Sequence, residues 1–171
     1  MRNGSEIKVR AIRPGDRPFL AQCAPFIQAR YPGGADWLDR RLDSVLGGCG
    51  RGLLATVDGY PAGFAISTEK GERIEKLSSL FVHPSMRGLG CGRRLIGALS
   101  DLWHANDVHD AYVTCAAGDR ATEHFFKRHG FVPVAVVQDR YGPGRDETVL
   151  SAALPPAESA DAAARQPGIL H

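Results

Sequence analysis

A glycine-rich loop at residues 87–92 constrains the fold of this chain most strongly. The apolar residues 74–82 before it predict a β-strand. That strand must end at Pro84, because proline lacks the N–H group that a continuing strand would need. A helical pattern follows the loop at once, with one apolar face formed by Leu95, Ile96, Leu99, Leu102 and Trp103. The sequence therefore predicts a strand, a glycine-rich loop and a helix in direct succession.

This succession is suited to a ligand that carries phosphate groups. Glycine lets the backbone approach phosphate oxygens closely, since it has no side chain. The start of the helix adds unpaired N–H groups and the positive end of the helix dipole. Arg87 and Arg93 add positive charge on the two sides of the loop.

Three interpretations of the loop can be compared. An ordinary turn needs only one or two glycines, so three at alternate positions disfavour it. A dinucleotide-binding loop needs Gly-x-Gly-x-x-Gly, but Arg93 or Leu95 stands where the last glycine belongs. The third interpretation is a pyrophosphate loop for acyl-CoA. Arg87, Gly90 and Gly92 form Arg-x-x-Gly-x-Gly, which resembles the signature of the GNAT family of N-acetyltransferases.

The rest of the chain extends this resemblance over roughly residues 7–153. Hydrophobic patterns predict the element order βααβββαβαββ, which is the GNAT order, and Asp16 is expected to cap the first helix. A helix ending in Gly130-Phe131 resembles the GNAT helix that lies beside the cofactor. The resemblance implies an α/β (α+β) fold. Its central twisted sheet would be mixed but mostly antiparallel, flanked by about four helices.

Length and composition set further bounds. The 171 residues suit one domain, residues 1–154, followed by an Ala/Pro-rich tail, residues 155–171, that is expected to be disordered. A net charge of +2 gives no reason to expect nucleic acid as a partner. No long apolar run, no signal-peptide pattern and four scattered cysteines favour a cytoplasmic protein with no membrane partner and no metal site.

The resemblance implies acetyl-CoA as the acyl donor. Its pantetheine arm would pair with the backbone of the predicted strand, and its pyrophosphate would bind loop N–H groups. Asp119 stands where the family often has an asparagine that contacts the cofactor. Phe126 stands where many members have a tyrosine that protonates the departing thiolate. The cofactor-binding residues expected are Leu80, Phe81, Val82, Arg87, Gly88, Leu89, Gly90, Cys91, Gly92, Arg93, Asp119 and Phe126.

Transfer to an amine also needs a base, because an alkylammonium group is mostly protonated at neutral pH. Family members often use a glutamate on this strand, and Glu75 is the nearest candidate; the alternative is a solvated carboxylate at a strand end. Ser78 can orient water or substrate, or its hydroxyl can simply bond to backbone. Water, Tyr141 or Tyr112 can supply the proton that Phe126 cannot.

The acceptor is expected to enter between two loops that each carry Arg and Tyr. One contains Arg30 and Tyr31, the expected substrate-binding residues, and the other contains Arg140 and Tyr141. The sequence thus predicts an acetyl-CoA-dependent N-acetyltransferase, monomeric or homodimeric, that acts on a primary amine of a small molecule or protein. Two alternatives stay open: a different acyl donor or nucleophile, and a non-catalytic acyl-CoA-binding regulatory domain.

Overall fold

The computed structural model describes residues 4–155, so the expected tail lies almost wholly outside the described residues. The predicted order of elements is confirmed. None of the helices in this range has both the length and the apolar character needed to cross a membrane. The elements are β1 Ile7–Ala11, α1 Arg17–Arg30, α2 Gly34–Leu46, β2 Arg51–Val57, β3 Tyr60–Gly71, β4 Ile74–Val82, α3 Cys91–Ala105, β5 Asp110–Ala116, α4 Arg120–Lys127, β6 Val132–Val137 and β7 Glu147–Ala153.

All seven strands form one mixed, mostly antiparallel sheet in the order β1-β2-β3-β4-β5-β7-β6. Every neighbouring pair is antiparallel except β4 and β5. These two strands pair in parallel only from Ile74↔Asp110 to Lys76↔Tyr112. Beyond this point they separate, and a gap opens in the middle of the sheet. Ligands in sheets of this kind commonly bind beyond the carboxyl ends of parallel strands.

Helices cover both faces of the sheet, and each face has its own apolar core. On one face α3 buries Leu95, Ile96, Leu99 and Trp103, as its predicted apolar stripe requires. On the other face α1 and α2 cover β2 and β3; the buried residues there include Leu20, Cys23, Leu38, Leu42, Leu54, Phe64 and Ile66. Side chains of β4 can therefore point toward either of two different cores.

A bulge in β4 changes which residues face α3. Ser79 pairs with Ile66, but Leu77 pairs with Ser67, so Ser78 is an extra residue without an opposite partner on β3. Before the bulge, Leu77 packs in the α3 core, whereas after it Leu80 and Val82 do. Ser78 thus marks the place where the alternation of β4 shifts by one residue.

Asp16 does not cap α1 with its side chain, so that expectation was wrong. Its carboxylate is buried and accepts hydrogen bonds from two nitrogens of Arg10, at 2.7 and 2.8 Å. It also accepts one from the backbone N–H of Arg13, at 2.8 Å. Asp16 therefore fixes the turn between β1 and α1.

Replacing Asp16 with asparagine is expected to lower the free energy of unfolding by about 1–3 kcal/mol at neutral pH. The hydrogen bonds from Arg10 hold the pKa of Asp16 below its usual value of 3.8. A depressed pKa adds stability above the usual value, and this stability is lost as the pH falls through the folded-state pKa. The difference in melting temperature between wild type and Asp16→Asn should therefore be smaller at about pH 3 than at about pH 7. Asp39→Asn is the control, since Asp39 forms an exposed pair with Arg17.

Candidate active site

The separation of β4 and β5 creates a groove of about 660 Å³. Its walls are the second half of β4, the end of β5, the start of α4 and the end of α1. One edge of β4 is open here, because β4 pairs with β3 on its other side and has no strand partner beyond Lys76 on this side among the described residues. The backbone of Leu80, Phe81 and Val82 therefore lies where the sequence analysis placed the pantetheine arm. Their contact with a cofactor stays a prediction.

The glycine-rich loop begins at one end of this groove, because its first residue, Arg87, lines the groove, whereas Leu89 and Gly90 line a separate cavity. Gly88 and Gly90 have φ angles of 79° and 98°, a left-handed conformation that glycine adopts easily. The first backbone bond of α3 is donated by Arg94 to the carbonyl of Gly90, at 3.1 Å. The N–H groups of the three preceding residues thus have no helical partner. This geometry suits an anion at the start of α3.

Other loop residues contribute in different ways. The Nε of Arg87 donates to the carbonyl of Val82 at 3.2 Å, which ties the loop to the end of β4. Leu89 is exposed. Cys91 is not part of an open loop: it is the first residue of α3, its side chain is buried, and burial raises the pKa of its thiol. Only its backbone can meet a ligand, so its role as a cofactor-binding residue is limited to its N–H group.

A second cavity, of about 220 Å³, adjoins the groove. Its lining includes Trp37, Lys76 and Tyr141. Both cavities are lined by Ile27, Tyr31, Ser78 and Thr114. The groove and the second cavity therefore meet at these four residues, beside the bulge of β4.

The two loops expected to admit an acceptor do lie together. The rings of Tyr31 and Tyr141 pack edge to face, with their centres 5.5 Å apart. Arg145 donates to the carbonyl of Arg30 at 2.9 Å. The side chain of Arg30 itself bonds to Asp119 at 3.0 Å, so it borders the groove rather than the second cavity.

The two tyrosines have opposite electrostatic environments. Burial raises the pKa of Tyr31 to about 12. Burial also acts to raise the pKa of Tyr141, but hydrogen bonds from Arg140 and with Thr114 and the charge of Lys76 outweigh it and lower that pKa. The Nζ of Lys76 lies 3.3 Å from the Tyr141 hydroxyl. Tyr141 is thus the more acidic phenol, and Tyr31 stays a neutral hydrogen-bond donor.

Glu75 lies in the core rather than at a solvated strand end. It is only 4% exposed. One oxygen accepts from Nε of Arg51 at 2.7 Å, and the other accepts from the hydroxyl of Ser67 and from Nε1 of Trp103, at 3.0 Å for the indole. Since Trp103 belongs to α3, this carboxylate faces away from the cavity that Lys76 and Ser78 line. The structure does not bring Glu75 together with Ser78 and Tyr141.

Asp119 forms the N-cap of α4. Its oxygens accept from the N–H and hydroxyl of Thr122, at 3.1 and 2.7 Å, and from Arg30. Burial opposes its charged form, but these bonds prevail and lower its pKa. Its carboxylate is therefore ionised and engaged, so it cannot replace an asparagine as a donor.

Phe126 is buried and borders the groove, and its contact with a cofactor stays a prediction. Its ring centre lies 5.3 Å from that of Phe125 and 5.5 Å from that of Phe131. The ring is therefore also part of the core below the groove. It has no proton to donate, so any acid must come from another residue or from water.

Four residues of the site had no predicted role: Trp37, Lys76, Thr114 and Glu147. Lys76 could have been found, because it lies two residues before Ser78 on a strand and such residues share a face. Thr114 could have been found in the same way on β5, whose alternation is regular. Within residues 4–155, no group of three His, Cys, Asp or Glu side chains is placed to hold a metal ion.

Comparisons with known proteins agree with this geometry. A family model described as an acetyltransferase (GNAT) domain matches residues 42–143, more than half of the chain. No curated protein sequence matches this chain. Among solved structures, a GNAT-family protein from Desulfovibrio desulfuricans is 20% identical with a TM-score of 0.76, over 88% of this chain and 100% of that one.

Two further structures come from proteins with named acceptors. The ribosomal-protein-S18-alanine N-acetyltransferase of Escherichia coli is 18% identical with a TM-score of 0.70, over 91% of this chain and 98% of that one. The spermidine N-acetyltransferase of Vibrio cholerae, solved with CoA and spermine, is 17% identical with a TM-score of 0.72, over 86% and 95%. At such identities the likeness shows the fold alone, and the family match carries the assignment. The chain belongs to the GNAT family of acetyltransferases.

Proposed function

We propose that this protein is an acetyl-CoA-dependent N-acetyltransferase that transfers an acetyl group to a primary amine of a small molecule or protein. One observation carries the proposal. The groove beside the glycine-rich loop meets a separate cavity at Ile27, Tyr31, Ser78 and Thr114. A thioester in the groove and an amine in the cavity would meet there and react directly. The named relatives act on a polyamine and on a protein alanine, so both kinds of acceptor occur on this fold.

The cofactor would be held mainly by backbone groups. The N–H groups at the start of α3 would bind the pyrophosphate, with Arg87 and Arg93 adding charge. The open edge of β4 at Leu80–Val82 would pair with the amides of the pantetheine arm, as an added strand does. A backbone N–H near Phe81 or Val82 would then stabilise the oxyanion of the tetrahedral intermediate.

The chemistry needs one proton removed and one supplied. The amine nitrogen forms a bond to the carbonyl carbon, the carbon–sulfur bond breaks, and the CoA thiolate leaves. We assign Tyr141 as the proton donor to that thiolate, because its lowered pKa lies closer to that of a thiol, near 8.5. Ser78, at the junction of the two cavities, would orient the amine.

Replacing Tyr141 with phenylalanine is expected to lower kcat by about 100-fold, the low end of what one acid–base group contributes. The ring would still pack against Tyr31, so KM for the amine should change little. Tyr60→Phe is the matched control, since Tyr60 is 71% exposed and is the first residue of β3. Steady-state kinetics on both variants decide the matter; equal rates for Tyr141→Phe and wild type would contradict the assignment.

The proposed function is tested in two steps. Thermal shift with CoA and with NAD should show stabilisation by CoA alone, because the loop lacks the dinucleotide pattern. A panel of amines and peptides with acetyl-CoA, read by mass spectrometry, should then yield an N-acetyl product. CoA binding without any product would favour the non-catalytic regulator. If a product forms only with a longer acyl-CoA, that compound and not acetyl-CoA is the acyl donor.

A further inference from the structure

The proposed reaction lacks a base, because the carboxylate of Glu75 is engaged on the far side of the sheet. We propose that Glu147 is the catalytic base: its carboxylate binds the ammonium group of the acceptor and removes its proton. This inference rests on the proposed function and adds to it that the acceptor arrives as a cation.

The first support is the burial of Glu147 without a full set of partners. It is the first residue of β7 and is 2% exposed. Its Oε2 atom is buried and has no hydrogen-bond partner among residues 4–155. A buried carboxylate oxygen without a donor is costly, so native proteins rarely keep one. An ammonium group would provide the missing donor.

The second support is the face on which Glu147 lies. Leu150 and Ala152 pack in the α3 core, so alternation puts Glu147 on the opposite face of β7. On β5, Val113 and Cys115 also face α3, which puts Thr114 on the face of Glu147. Glu147 is opposite Ala116, two residues from Thr114, and such diagonal neighbours lie within reach of each other.

The third support is a shared wall. Glu147 lines a cavity of about 430 Å³ together with Tyr31. Tyr31 also lines the groove and the second cavity, so all three cavities share this residue. An amine held beside Tyr31 would therefore have the thioester on one side and Glu147 on the other.

The charges around Glu147 suit this role. Burial raises the pKa of its carboxyl group above the usual 4.5, and a carboxylate with a raised pKa is a stronger base. Lys76 and Arg140 act against this rise, followed by Thr114 and Arg30. Tyr31, Tyr141 and Cys115 also lie near it, and Arg145 and Asp146 line the same cavity as Glu147. Burial outweighs these cations, so the net effect is a raised pKa and a carboxylate that is a stronger base.

The step balances as follows. The acceptor enters as an ammonium ion and gives a proton to Glu147. The neutral nitrogen attacks the thioester, the carbon–sulfur bond breaks, and Tyr141 gives its proton to the thiolate. The second proton of the nitrogen restores Tyr141 through water, and Glu147 loses its proton to solvent after the amide leaves.

The test is Glu147→Gln, which keeps the shape and removes the base. For the best alkylamine of the panel at about pH 7, kcat/KM should fall by about 100-fold or more. For an aniline, which is already neutral at this pH, the loss should be much smaller. CoA affinity by calorimetry should not change. Glu72→Gln, at an exposed glutamate, is the matched control and should behave as wild type.

The melting temperature separates a catalytic role from a purely structural one, because replacing a residue that only stabilises the fold would lower it. Because the pKa of Glu147 is raised, its ionisation costs stability as the pH rises above 4.5. Glu147→Gln should therefore leave the melting temperature at neutral pH unchanged or higher. A lower melting temperature together with equal losses for alkylamine and aniline would overturn the proposal, as would unchanged alkylamine turnover. If the glutamine variant does not fold, Glu147→Asp provides the kinetic comparison, with a partial loss expected for the alkylamine only.

The two proposals can fail separately. If the wild type acetylates no amine, the proposed function fails, and Glu147 is then judged by the binding of spermine and tyramine to the CoA-loaded protein. Glu147→Gln should weaken this binding at least about tenfold, since it removes a charge-assisted hydrogen bond. Equal affinity in both proteins, or no binding to the wild type, would overturn the Glu147 proposal.

Discussion

Gly90→Val is expected to weaken CoA binding by at least about 100-fold, or roughly 2.7 kcal/mol. Gly90 has a φ of 98°, and a β-branched residue is strongly disfavoured there. Among the described residues an added Cβ would meet only Ile7, at 3.7 Å, which is an ordinary contact, so crowding at Cβ is not the cause. The backbone must instead rotate, which would turn the N–H groups at the start of α3 away from the pyrophosphate. Calorimetric titration with CoA measures the loss.

Gly48→Val is the control that separates the effect of backbone strain from the loss of CoA contacts. Gly48 follows α2, has a φ of 88°, and has no atom within 4 Å of an added Cβ. The substitution imposes a similar strain far from the loop, so it should lower the melting temperature without changing CoA affinity. If both variants bind CoA like wild type, the loop does not hold the pyrophosphate.

Glu75→Ala is expected to lower the free energy of unfolding by about 3–5 kcal/mol. The change removes the partner of Arg51 and leaves the indole N–H of Trp103 with only Ser67. Urea unfolding measures the effect, and Glu72→Ala is the control because that glutamate is exposed. Turnover per folded molecule should change little.

Replacing both Glu75 and Arg51 tests whether an unpaired charge causes this loss of stability. The double variant Glu75→Leu with Arg51→Leu should be more stable than Glu75→Ala, because no buried charge stays unpaired. A Glu75→Ala protein with normal stability and a lost reaction would instead restore the role of general base to Glu75.

Local pattern sufficed for the elements and the loop, because hydrophobic period and glycine spacing are properties of neighbouring residues. Local pattern did not suffice to predict the burial of Glu75. Its burial depends on Trp103, which is 28 residues away, and on Ser67 of another strand. The bulge at Ser78 also changes which face of β4 later residues occupy, and no local pattern announced it.

Glu147 shows a different limit. A glutamate at the start of a strand after a Gly-Pro-Gly turn is usually solvated. Here Tyr31 lines the same cavity as Glu147, and the ring of Tyr141 packs against Tyr31, so residues distant in sequence help to form its surroundings. The lowered pKa of Tyr141 has this origin only in part: its neighbour Arg140 lowers it most, followed by Thr114 from β5 and Lys76 from β4. When several loops form a site, the role of each residue cannot be predicted from its own segment of the sequence.

The short pairing of β4 with β5 has a consequence for how the protein holds together. Three residue pairs join a four-stranded part of the sheet to a three-stranded part. A pantetheine arm bonded along β4 and packed against β5 would add a second connection between these parts. The cofactor would then be a structural component of the sheet as well as a substrate, and the protein would be most rigid when it is ready to react.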